Sequence, residues 1–87
     1  MTESELPKPT FLVIVHQFAT MALIELGAIP NPATGQKSVS LKRARFTIDL
    51  LGELRTKVEG NLTAEEQSGF DAALAEIRRR YVDASNA

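Results

Sequence analysis

The sequence predicts an all-α protein of three helices, and three observations carry that reading. Phe11 to Leu26 is apolar apart from His16, Gln17, Thr20 and Glu25. Ala44, Ile48, Leu51, Leu54 and Val58 recur at helical spacing and form one wide stripe. Phe70, Leu74, Ile77, Tyr81 and Ala84 step by four, three, four and three, downstream of the helix-start signal Thr63-Ala64-Glu65-Glu66. A short β-hairpin about Thr34-Gly35 is left open, but its alternation is too weak to commit to strands.

The first helix follows a flexible lead over residues 1–9, which contains Pro7 and Pro9. Thr10 is the expected N-cap, and Gly27 supplies the left-handed residue that ends the helix. A helix that is hydrophobic on every side has to be buried on every side. A chain of 87 residues has too little remaining sequence to wrap it, so a second copy or a partner is implied. On a helical wheel Phe11, Ile14, Val15, Phe18, Ala22 and Leu26 form the face expected to meet the other helices. Leu12, Ala19 and Leu23 then lie on a flank beside His16 and Thr20. Ala19 and Thr20 are small enough for close helix approach, so this flank is the expected seam of a symmetric dimer.

Residues 28–39 form a loop rich in turn residues, among them Pro30, Asn31, Pro32, Thr34 and Gly35. Ile29 and Val39 are its candidate apolar anchors. Its length leaves two roles open, a structured connector or a binding loop. Ser40 caps a second helix running to about Glu59 and stopped by Gly60. Thr63 and Glu66 form a capping box at the start of the third helix. With only Gly60-Asn61-Leu62-Thr63 between them, helices two and three are expected to make an antiparallel helical hairpin. Residues 10–85 thus read as a single helical domain.

Composition narrows the function classes. A net charge of −1 gives no global attraction to nucleic acid or membrane. With no cysteine and one histidine, thiolate sites, disulfides and multi-histidine metal centres are excluded. No catalytic triad, glycine-rich phosphate loop or other nucleophile arrangement is present, so neither an enzyme nor a cofactor is expected. His16 reads as a hydrogen-bonded packing residue, and the Glu65–Glu66 pair is explained by the capping box and the helix dipole. Phe11–Leu26 is too short and too interrupted to span a membrane, and it carries no cationic polar face for lying on one. The expected location is the cytoplasm.

Two features invite a sharper reading. Lys42, Arg43 and Arg45 crowd the first turn of helix two, where positive charge opposes the dipole. The hairpin would bring them beside Arg78, Arg79 and Arg80, tempered by Asp49 and Asp83. This cluster is either a solvated belt or an anion- and partner-binding patch. Asp49 interrupts an apolar segment, and is either solvated and salt-bridged or a hydrogen-bond acceptor for loop amides near Thr34 and Gly35.

The stretch ALIELGAIPNPATGQKSVSLKRARFTIDLLGELRTKVEGNLTAEE resembles a bacterial family of small proteins, domain of unknown function 1844 (DUF1844). Its most specific parts are LG-IP-P-TG at Leu26 to Gly35, TIDLL at Thr47 to Leu51, and GNLT at Gly60 to Thr63. The likeness extends from about Phe11 to Tyr81. It brings no activity, cofactor or catalytic residue to carry over. The function expected is therefore a non-enzymatic interaction or scaffold protein, a homo-oligomer with an unidentified protein partner. The alternative is a nucleic-acid- or ribonucleoprotein-associated accessory factor that touches RNA through the basic hairpin end.

Overall fold

The computed structural model describes residues 6–86. Most of the lead expected over residues 1–9 lies outside the described residues. Three helices follow one another, α1 (Phe11–Glu25), α2 (Leu41–Lys57) and α3 (Ala64–Ser85), with no strand among the described residues. The protein is all-α. Each helix touches the other two. No helix among the described residues is long and apolar enough to cross a membrane.

The helix ends follow from local chemistry. Thr10 takes the N-cap position of α1 in extended backbone, but its hydroxyl makes no cap bond. Its carbonyl accepts from the Val13 N–H at 3.1 Å instead. At the other end Gly27 adopts φ 75°. The Gly27 N–H donates to Ile24 O at 3.0 Å and the Ala28 N–H to Leu23 O at 2.9 Å, the two hydrogen bonds of a Schellman stop. A Cβ at Gly27 would also lie 2.7 Å from Val39 Cγ2, so glycine is required twice over. The Ser40 hydroxyl accepts from the Arg43 N–H at 3.3 Å, which starts α2. Gly60, at φ 85°, lies three residues past the end of α2. The Thr63–Glu66 box is complete, with bonds of 3.1 and 2.9 Å.

Between α1 and α2 the chain turns on Asn31. Its side-chain oxygen accepts from the Ala33 N–H at 2.8 Å, while its carbonyl accepts from Gly35 at 2.7 Å and Thr34 at 3.2 Å. The Asn31 N–H donates to Gln36 O at 2.9 Å, so one residue organises the turn in place of a hairpin. The Ser40 N–H then donates to Glu25 O at 2.7 Å, tying the start of α2 to the end of α1. Ile29 is half-buried at its end of the loop. Val39 is 61% exposed and does not serve as the buried anchor expected of it.

The core is small and continuous. Val15, Ala19 and Ala22 of α1 meet Ile48 and Leu51 of α2 and Phe70, Leu74 and Ile77 of α3. Phe11 stacks at a tilt on Phe70, with ring centroids 5.9 Å apart. On the α2–α3 side Arg45 shares a cleft with Tyr81, Gly52 sits beside Arg78, and Arg55 pairs with Asp71. Among the described residues one polar side chain enters the core. Thr47 is 2% exposed, and its hydroxyl donates to Glu25 Oε1 at 2.6 Å. This bond joins α1 to α2 and meets the rule that a buried hydroxyl needs a partner.

Candidate interaction surface

The flank expected to form a dimer seam is divided by the fold. Ala19 is buried in the core of its own chain, and Leu12 and Leu23 pack against that core. The reason lies across the interface in α3. Gly69 has no side chain, and Leu12 occupies the space, its two Cδ atoms 3.1 Å from where a Gly69 Cβ would stand. Ala19 is therefore used inside the molecule, where the wheel reading has it on an outer flank, and Leu12 and Leu23 are partly covered by their own chain. His16 and Thr20 stay exposed and line a shallow groove with Leu6, Pro7, Val13 and Gln17.

The apolar residues left open lie on the other side of α1. Ile14 is 45% and Met21 47% exposed, although the helical wheel puts Ile14 on the face meeting the other helices. Phe46 at 65% and Leu50 at 43% extend the apolar surface onto α2. Met21, Phe46 and Leu50 line a groove of about 750 Å³ whose rim carries Glu25, Lys42, Arg43, Arg45 and Asp49. A second hollow of about 230 Å³ adjoins it through Leu50, walled by Ile14, Phe18, Leu51 and Leu54. Large apolar side chains gathered on one face, with charge at the rim, mark an interaction surface more often than scattered ones do.

The six basic residues of the expected patch divide into two sets. Arg45 pairs with Asp49 at 3.2 Å. Arg79 and Arg80 both hold Glu76 at 2.7 Å, and Arg79 also reaches Asp83 at 3.5 Å. Arg79 first, then Arg80, hold the Glu76 carboxyl below its ordinary range. Among the described residues Lys42, Arg43 and Arg78 make no ion pair. The Asp49 carboxylate bonds to Arg45 Nε one turn earlier rather than to loop amides, which settles its two readings for the salt bridge. Pro30, Pro32, Thr34 and Gly35 are exposed, and the loop amides of Thr34 and Gly35 are satisfied by Asn31.

Four participants escaped the sequence reading. Arg55 bridges Asp71 on α3 at 2.8 Å and also pairs with Glu59, and the bond from Arg55 holds the Asp71 carboxyl low. Thr47 with Glu25, and Glu76, are the second and third. The fourth is the outer stripe of α2, where Phe46 and Leu50 fall outside the core periodicity and were legible as a second apolar face. No group of three His, Cys, Asp or Glu side chains suited to a metal forms among the described residues.

No curated protein and no solved structure matches the chain. A family model does, described as Domain of unknown function (DUF1844), over residues 8–83. With nearly the whole chain matched, and with the LG-IP-P-TG, TIDLL and GNLT segments inside the matched span, the protein belongs to the DUF1844 family.

Proposed function

We propose that this protein is a non-enzymatic interaction or scaffold protein that works as a homo-oligomer, a dimer in its simplest form. One observation carries the reading: the exposed surface of Ile14, Met21, Phe46 and Leu50, continuous across α1 and α2. Such a surface is costly to leave in water, at roughly 25 cal/mol for each Å² of apolar area that a partner would cover. In this reading α2 and α3 form an antiparallel helical hairpin against which α1 lies, and the Pro/Gly loop is a structured connector. The pairings of Arg45 with Tyr81, Gly52 with Arg78, and Arg55 with Asp71 support the hairpin, because numbers rise along α2 as they fall along α3. The alternative, a nucleic-acid-associated factor, has less support, since Arg45, Arg79 and Arg80 are already engaged by acids of their own helices.

Sedimentation velocity from about one to about a hundred micromolar tests the reading, a range that brackets ordinary specific association. The expected result is a species of at least dimer mass that gains weight with concentration. A monomer throughout overturns it.

A further inference from the structure

We infer that the surface is closed by a second copy of this chain, its α2 antiparallel to the first across a two-fold axis at the level of Ile48. The inference rests on the homo-oligomer reading and specifies its seam. Arg43, Phe46, Leu50 and Glu53 follow one another at three, four and three residues, the spacing of a helix-packing seam. All four are exposed.

The stripe reads cation, aromatic, aliphatic, anion. A two-fold interface must be complementary to itself, so whatever lies at one position has to suit the position it meets. Residues 46 and 50 are centred on 48, and so are residues 43 and 53. One axis therefore sets Phe46 against the partner's Leu50 and Arg43 against the partner's Glu53, and each pairing occurs twice. A parallel arrangement would instead face Arg43 with Arg43 and Glu53 with Glu53, which like-charge repulsion disfavours.

The pairing of charges inside the chain supports the same conclusion. On α2, Arg45 is taken by Asp49 and Arg55 by Asp71 and Glu59. Arg43 and Glu53, which flank the apolar pair, have no ion partner among the described residues. Ile14 and Met21 of α1 share the two hollows with Leu50 and widen the area a second copy would cover. An acidic amphipathic helix would satisfy Lys42 and Arg43 but bring negative charge onto Glu53. A second copy satisfies both ends.

The test is a charge reversal that only this geometry repairs. In an Arg43→Glu homodimer both symmetry-related pairs become like charges, and the same is true of Glu53→Arg. Each variant is expected to dimerise on the order of tenfold more weakly than the wild type, two exposed pairs being lost and replaced by repulsion. An equimolar mixture of the two restores opposite charge at both pairs, so sedimentation equilibrium should find a heterodimer of near wild-type affinity. Unchanged dimerisation by each variant, or a mixture no tighter than its components, overturns the seam while the homo-oligomer reading stands. A wild-type monomer at every concentration overturns both. If a reversal unfolds the chain, Arg43→Gln and Glu53→Gln take its place: weaker dimers support the seam and unchanged ones overturn it.

Discussion

The two sides of α1 are equally hydrophobic in sequence and opposite in fate. On the α3 side Leu12 fills the space above Gly69, Phe11 rests on Phe70, and Ala19 is buried. Val15 and Ala22 reach the shared core, yet on the α2 side Ile14 and Met21 remain open beside Phe46 and Leu50. Hydrophobicity alone does not bury a residue. A neighbour has to come close enough, and here a missing side chain at Gly69 decides which flank it approaches.

Two phenylalanines give the sharpest way to break this comparison. Phe70→Ala should cost about 3–5 kcal/mol in stability, because it opens a cavity at the centre of the core. Phe46→Ala, in the exposed stripe, should leave the melting temperature of dilute protein unchanged within error while weakening association. Urea melts of both variants at low concentration check this, and equal losses would dissolve the distinction between closed and open sides. Next in size is Gly69→Val, whose added methyls meet Leu12 and should cost about 1–2 kcal/mol by overpacking. A neutral result would mean that Leu12 moves aside freely and that the approach of α1 to α3 is looser than its geometry suggests.

Most of the helical scaffold was legible because short-range chemistry sets it. The Thr63–Glu66 box, the Ser40 cap and the glycine stop at Gly27 each lie within one turn of the boundary they define. The core stripe of α2 and the seam of α3 were legible for a related reason, since their inward apolar positions recur at the helical period. Helix α1 gave no such guidance. With apolar residues all round, its wheel cannot say whether Ile14 or Leu12 turns inward, and Ala19, expected on an outer flank, is buried in the core of its own chain. Glu25 was equally hidden, because its partner Thr47 lies 22 residues away and nothing local links them.

That link between α1 and α2 offers a smaller test. Thr47→Val keeps the side chain's shape and removes the hydroxyl that donates to Glu25, so thermal unfolding should show a loss of about 1–2 kcal/mol, typical of a bond to a charged acceptor. A stabilised variant would show that the carboxylate is better served by water. The smallest effect concerns pH. Asp71 is held low in the folded state by Arg55, so its pairing adds stability above the ordinary carboxylate range. The contribution is lost as pH falls through the lowered folded value. Between about pH 5 and pH 2, wild-type stability should therefore decline more steeply than that of Asp71→Asn. Parallel slopes would mean the exposed pair is screened to nothing.

The open side of α1 and α2 is tested most directly by magnetic resonance on a mixed sample. One half of the protein carries isotope label and the other half none, and filtered spectra then record only contacts between copies. The expected result is cross-peaks from the Phe46 ring of one copy to the Leu50 methyl groups of the other, with none to Leu12 or Ala19. Spectra in which Phe46 and Leu50 show contacts only within their own chain, at concentrations near the millimolar range, would contradict a second copy on this face.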